Sequence, residues 1–341
     1  MPRPVSNPPN PWESTAVEWL EPPPPARLEV YEERAREILA TNESPDIPFR
    51  WSLNPYRGCQ HGCAYCYARP THQYLSFGAG TDFERRIVVK TNAPELLRRK
   101  LASHSWRREP IHFSGVTDPY QPLEACYELT RRSLEACLAG RNPVVVVTKA
   151  ALVLRDADLL AALARGPGAQ VILSIPFAAA DVARRLEPGV ASPARRFLTM
   201  RALAARGIPV GLSLSPLIPG LNESDVPALL RRAAEAGAKA AFCALVHLPG
   251  EALAVFQERL KEAFPARAAH VLAAIRDVRG GALSDDRFHA RMRGRGPRWD
   301  ATMRLFAVHC RRLGLATGED LEPLRPPDPP PPPIQRTLFG E

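Results

Sequence analysis

Six short apolar runs, each followed by a stretch whose apolar residues recur at helical spacing, constrain this 341-residue chain more than any other feature. The runs lie at 49–53, 111–114, 144–148, 171–175, 210–214 and 241–245. Helical patterns are centred on 95–102, 123–138, 156–164, 193–205, 224–236 and 251–263. Such alternation predicts strands joined by right-handed helical crossovers. Ser192 and Pro193 supply a side-chain cap and a proline at a first helical position, and Gly207 and Gly237 stand where helices should stop. Repeated units of this kind build an open doubly wound sheet or a barrel, and in both the ligand sites collect at the carboxyl ends of the strands. Reactive side chains recur at those ends: Cys59 after the first run, Thr117 and Asp118 after the second, Lys149 after the third.

The two ends of the chain lack this pattern. Prolines fill 22–25 and, interrupted only by Asp328, 326–333. Such runs favour extended polyproline II and build no packed core. The expected organisation is a partly disordered arm at 1–46, a core at 47–275, a basic helical extension at 276–320 and a proline-rich tail at 321–341. No apolar stretch approaches the ~18 residues of a membrane span, so no membrane is expected. A chain of this length buries a core without disulfides. Its 7 cysteines are odd in number, and Cys126, Cys137, Cys243 and Cys310 are scattered, which suits a reducing cytoplasm. The net charge of +9 suits a polyanionic partner and is also common in arginine-rich proteins without one.

The remaining three cysteines form CxxxCxxC, in the segment Arg57-Gly58-Cys59-Gln60-His61-Gly62-Cys63-Ala64-Tyr65-Cys66. Three thiolates in one short loop can take three irons of a cubane, and the flanking glycines permit the turns this needs. The fourth iron then lacks a protein ligand and is open to a cofactor or substrate. The alternative is zinc, with His61 or His72 completing a Cys3His site, although no second CxxC pair is present.

The cysteine pattern, with Tyr65 just before its last member, resembles the signature of the radical S-adenosylmethionine (SAM) superfamily. Residues 52–315 are more closely similar to the spore photoproduct lyase-related branch, the DNA repair photolyase-like proteins. The resemblance implies a partial (β/α)6 TIM-like barrel and an enzyme that uses a [4Fe-4S] cluster and SAM for radical hydrogen abstraction. It further implies cluster ligation by Cys59, Cys63 and Cys66, and a place near the adenine for Tyr65. Thr117 and Asp118 would accept from the methionine ammonium, Lys149 would face the SAM carboxylate, and Ser174 would touch the ribose. Ile218, in a segment similar to the family's GxIxGxxE element with Pro216 for its first glycine, would pack on the adenine while Glu223 orders the loop. An external one-electron donor is implied as well. One departure bears on substrate: Gly115 occupies the place where spore photoproduct lyases carry a hydrogen-donor cysteine, and Cys126 is too distant to replace it.

Ten arginines and four aspartates fall within 276–312. Arg291, Arg293, Arg295 and Trp299 would suit phosphates and a base of DNA or RNA, or else form a solvated surface. Met303, Phe306 and Cys310 at helical spacing read as core. The tail carries Gln335, Leu338 and Phe339 just before Gly340 and Glu341, similar to peptides that bind the bacterial sliding clamp, or is simply disordered. A nucleic acid is the expected substrate or partner. The alternatives are a zinc-binding nucleic-acid adaptor without catalysis, and a radical SAM enzyme acting on a protein or small molecule.

Overall fold

The computed structural model describes residues 3–15, 20–318 and Leu324; Gln335, Leu338 and Phe339 of the clamp-like motif lie outside them. The strands are β1 (Glu29–Glu33), β2 (Leu39–Thr41), β3 (Trp51–Leu53), β4 (Tyr56–Arg57), β5 (Arg86–Lys90), β6 (Ile111–Phe113), β7 (Val144–Thr148), β8 (Ala169–Ser174), β9 (Val210–Ser213) and β10 (Ala240–Phe242). All six apolar runs contain a strand. They stand in the order β10-β9-β8-β7-β6-β3, every neighbouring pair parallel, with β2 antiparallel on the outer edge of β3. A doubly wound sheet would reverse its order at a switch point. This order runs one way, and among the described residues no pairing joins β10 back to β3. The architecture is therefore an α/β fold with a partial, unclosed barrel.

Strand alternation separates two faces. Leu53, Ile111, Phe113, Val144, Val146, Leu173 and Leu212 join helix residues such as Leu97, Leu134, Leu160 and Leu229 in one core. Each fully buried aliphatic side chain there contributes about 1.5–3 kcal/mol. The opposite, concave face is smaller and more polar. Its register aligns Ser52 with His112 and Val145, Ile172 with Gly211 and Ala240, and Ser174 with Ser213. The helices take the convex side and leave the concave side to ligands.

Differences from expectation have local causes. The first strand begins at Trp51, because Phe49 leaves the run to stack on His112 at 4.0 Å. The last strand ends at Phe242, and the Leu245 N–H beyond it donates to the Met292 carbonyl at 2.9 Å. The pattern at 123–138 divides into Glu124–Tyr127 and Leu129–Ala139, with Glu128 between them at φ 52°. The expected caps are present: the Ser192 hydroxyl accepts from the Arg195 N–H at 3.3 Å. A second sheet, β1-β5-β4, was not legible. The described part of the arm is tied down rather than loose: Thr81 N–H donates to the Ser6 carbonyl at 2.9 Å and Asp82 N–H to Asn7 at 3.1 Å.

The C-terminal helix Pro297–Leu313 is part of the main core through Trp299, Phe306 and Cys310. Glu223 accepts from the Arg298 guanidinium at 2.6 Å and fastens this helix to the loop after β9. Trp299 is only 7% exposed. Trp299→Ala is expected to cost about 3–5 kcal/mol, read from urea denaturation of the whole chain. A loss under 1 kcal/mol would show that the helix is an appendage.

Candidate active site

The cysteine loop leaves β3 through β4 and is shaped by two glycines in the left-handed region, Gly58 (φ 76°) and Gly62 (φ 62°). At Gly58 a Cβ would stand 2.9 Å from the Phe83 carbonyl oxygen, which shows how closely the loop is seated. Cys59 N–H donates to that same carbonyl at 2.8 Å. Cys59 and Cys63 are buried and Cys66 partly so.

Three buried ion pairs hold the loop. The first is Arg69, fully buried, whose guanidinium donates to the Cys63 carbonyl at 3.2 and 2.8 Å and to Glu84 at 2.6 Å. The second joins Arg196 to Glu187 at 2.5 Å; the Tyr65 hydroxyl donates to the same Glu187, and Arg196 donates to the Ser174 carbonyl at 2.6 Å. This chain ties the loop to the end of β8. The third joins His61 Nδ1 to Asp118 Oδ2 at 3.3 Å.

Burial pushes the Asp118 carboxyl up, but His61, the Thr148 hydroxyl and the Lys149 N–H together hold it at about 2. Burial likewise pushes His61 down, and Asp118 with Cys59 outweighs this and raises the ring to about 10. Cys59 is lowered: burial raises the thiol and the neighbouring His61 more than offsets it. Burial raises Cys63 and Cys66. Charge on Cys59 and Cys66 bears on Cys63, so the three sulfurs lie within electrostatic reach of one another.

The remaining expected residues fall in several places. Lys149 leaves β7 with its ammonium 5.7 Å from the Tyr65 ring. Asp118 accepts from Thr148 (2.6 Å) and the N–H groups of Tyr120 (2.9 Å) and Lys149 (2.8 Å), besides His61. The Thr117 hydroxyl donates to the Gly58 carbonyl at 2.8 Å. Both residues thus brace the loop: the donors on the buried Asp118 carboxylate are the protein's own, and the Thr117 oxygen accepts from the Gln121 amide at 3.1 Å. Ser174 donates to the Ser215 carbonyl at 3.2 Å. Ile218 is fully buried in the core and presents no surface to an adenine, while Glu223 orders its loop by accepting from the Gly220 N–H at 2.5 Å.

In the basic segment, Trp299 is core and unavailable for base stacking, and Arg291 is bound to Asp46 at 2.8 Å and to Ser44. Arg295 donates to the Arg279 carbonyl at 3.1 Å, and Arg293 is exposed. The zinc alternative is also weakened. His72 Nε2 is 2.8 Å from the Arg86 carbonyl, and His61 is held by Asp118. Among the described residues no three His, Cys, Asp or Glu side chains gather around one point as a single metal ion requires. A cubane takes one thiolate at each of three irons and makes no such demand. The thiols of one loop, Cys59 and Cys63 buried and Cys66 partly so, supply that donor set.

Sequence reasoning passed over Arg69, Glu84, Glu187, Arg196 and Tyr67. A signal existed for Arg196, which falls on the apolar stripe Pro193, Phe197, Met200 and Leu203. A charge on such a stripe calls for a buried partner. Tyr67 follows Cys66, is 51% exposed and donates to the Gly115 carbonyl at 2.5 Å.

A one-directional partial barrel thus carries three thiols in the loop after its first core strand, the arrangement of a cluster-binding α/β protein. A model of the Radical SAM superfamily matches residues 53–233, and the chain belongs to that superfamily. It is an enzyme, and the family's cofactors are a [4Fe-4S] cluster and SAM. An uncharacterized Mycobacterium tuberculosis protein, Rv2578c, is 37% identical over 66% of this chain and 68% of its own length. The radical SAM Nalpha-GlyT isomerase of Pseudomonas phage M6 is 27% identical over 61% of this chain and 42% of its own. Spore photoproduct lyase complexed with dinucleoside spore photoproduct shares the fold with a TM-score of 0.58 at 16% identity, covering 84% of this chain and 81% of that one.

Glu187→Gln removes the charge facing a fully buried Arg196 and should cost about 3–5 kcal/mol in urea denaturation; an unchanged midpoint would show that the pair does not hold the loop. The His61–Asp118 pair gives a pH window. Asp118 lies below its unfolded value of about 3.9, so its stabilisation of about 2–3 kcal/mol is present above that value and lost as the pH falls to 2. His61 lies above its unfolded value of about 6.5, so its share is full below that value and lost as the pH rises through 10. The urea midpoints of cofactor-free wild type and Asp118→Asn should therefore differ most near pH 5–6.5 and converge at pH 2. A constant difference across this range would refute the assignment.

Proposed function

We propose that Cys59, Cys63 and Cys66 hold the [4Fe-4S] cluster, that SAM lies over the concave face beside Lys149 and Tyr65, and that the substrate is a nucleic acid, for repair or modification. When bound, the cluster and SAM supply a 5′-deoxyadenosyl radical that abstracts hydrogen. The chain's part is placement. Glu187 pins the Tyr65 ring, and the Lys149 ammonium above that ring is positioned for a carboxylate. Tyr67 stands half-exposed beside the Gly115 carbonyl, next to the place where the substrate would enter.

The observation that carries the nucleic-acid reading is on the concave face, where His112, in register with the small Ser52, lies flat on Phe49, their rings 17° from parallel. Burial lowers His112 to about 4, so near neutral pH the ring is uncharged and offers one donor and one acceptor. A flat ring pair with hydrogen-bonding edges suits a base. One similar protein supports this reading by its title, the spore photoproduct lyase solved with a dinucleoside spore photoproduct.

The test is anaerobic turnover with dithionite and SAM in the presence of deuterated DNA, RNA or peptide. Deuterium is expected in 5′-deoxyadenosine with a nucleic acid only, and His112→Ala should raise the apparent KM for it about tenfold, the value of one lost stacking contact of ~1–3 kcal/mol. Label arriving from peptide alone, or from no nucleic acid, rejects the proposal.

A further inference from the structure

Each cleavage of SAM consumes one electron, which has to reach the cysteine loop from a donor outside the chain. The surface through which it enters can be sought where a solvent-facing segment is bonded directly to that loop. The turn at 186–189 is such a segment. The Leu186 carbonyl accepts from the Ala64 N–H at 2.8 Å, and Gly189 N–H donates to the His61 carbonyl at 3.0 Å. A Cβ on Gly189 would stand 2.4 Å from the Gln60 carbonyl oxygen, so the two backbones are in direct contact. Pro188 and Gly189 are exposed. Thus two hydrogen bonds join a surface turn to residues lying between the cysteines.

The charge around this turn is one-sided. Arg184 and Arg185 end the helix Ala180–Leu186, Arg195 lies in the first turn of the helix Pro193–Ala204, and all three are exposed. Across these two helices and the turn, the acids are Asp181, exposed, and Glu187, buried against Arg196. Among the described residues Arg184 and Arg195 form no ion pair, and Arg185 is held outside the turn by donating to the Ala263 carbonyl at 2.6 Å and covering the Phe264 ring at 5.4 Å.

We propose that this arginine-rimmed turn is the docking surface of an acidic one-electron carrier protein. The reduced carrier gives up one electron and is oxidised, and the cluster takes that electron through the 186–189 turn; no bond or proton changes hands. A nucleic acid could also meet three arginines, but the substrate has to reach SAM over the concave face, where Tyr67 and Gly115 stand, and not this turn. The patch therefore suits the carrier. The inference rests on the family's cofactors and on loop ligation by Cys59, Cys63 and Cys66, and is independent of the nucleic-acid reading.

The experiment uses anaerobic holoenzyme, as wild type, Arg184→Glu/Arg185→Glu and Arg184→Lys/Arg185→Lys. Loss of the cluster's visible absorbance is followed after mixing with reduced flavodoxin or with dithionite, and flavodoxin affinity is measured by calorimetry. Charge reversal is expected to slow reduction by flavodoxin at low salt at least about tenfold and to weaken its binding, while dithionite reduces all three proteins at one rate. The lysine variant should retain the wild-type rate, and the wild-type rate should fall with salt. Equal flavodoxin rates in wild type and the reversed variant overturn the proposal. So does a reversed variant that keeps its flavodoxin rate but loses nucleic-acid binding, which would assign the patch to the substrate. If charge reversal prevents cluster loading, Arg184→Gln/Arg185→Gln takes its place, with the same requirement of slower flavodoxin and unchanged dithionite reduction.

Discussion

The Arg69 guanidinium on the carbonyl of Cys63 is the contact on which the rest of the site depends. The cysteine loop buries Cys59, Cys63, Ala64 and Tyr65, but it has no regular secondary structure to satisfy its carbonyls, so directed hydrogen bonds from outside have to set its shape. Arg69 does this with all of its donors: two on the Cys63 carbonyl, two on the carbonyls of Ala79 and Gly80, and one on Glu84. A guanidinium's planar fork fixes direction as well as distance, which an ammonium would not. Full burial would make this cation costly were any donor left free. Here none is. Its net stabilisation is modest by that reasoning, and its effect is to select one loop conformation.

The other two buried pairs extend the same device toward the strand ends. Glu187 and Arg196 connect Tyr65 to the Ser174 carbonyl, and Asp118 connects His61 to Thr148 and the backbone of Lys149. Each pair thus spans from the cysteine loop to a different strand, β8 in one case and β7 in the other. The loop is referenced to the barrel at several points rather than hanging from β3 alone. Lys149 gains its position from this: its N–H is fixed by Asp118, so its side chain leaves β7 from a set backbone toward Tyr65.

Much of the architecture was legible because it follows from patterns that are local in sequence. Val144–Val147 is a short apolar run of β-branched residues and so reads as a buried strand, and the helix at Pro193 announces itself by its cap. The second sheet was hidden for the opposite reason. β1 is Glu-Val-Tyr-Glu-Glu with four of its five residues exposed, and β4 has two residues, so neither carries a burial signal. The three thiols were legible through spacing. Their supports were not, because Arg69, Glu84, Glu187 and Arg196 become partners only when distant segments meet. The same gap explains Asp118 and Thr117: the sequence shows polar residues at a strand end, and only the fold shows that the loop has already claimed them. Trp299 fails in the other direction, since an aromatic in a basic segment resembles a stacking platform until the helix around it is found in the core.

These supports also separate two demands that any such site must meet. The radical has to be made and spent where water and stray side chains are excluded, whereas the electron has to come from a partner that arrives and leaves. A loop held from one side only would have to compromise between the two. Here the loop's middle, from Gln60 to Ala64, is bonded to the 186–189 turn, and its end turns Tyr67 onto Gly115. The first contact is backbone to backbone and uses none of the surrounding arginine side chains. The second places a phenol beside a glycine that offers no side chain. The absence of a side chain at Gly115 thus shapes the end of the loop: at φ 126° its backbone accepts Tyr67 on one side, and a Cβ there would stand 3.4 Å from the Asn54 amide nitrogen.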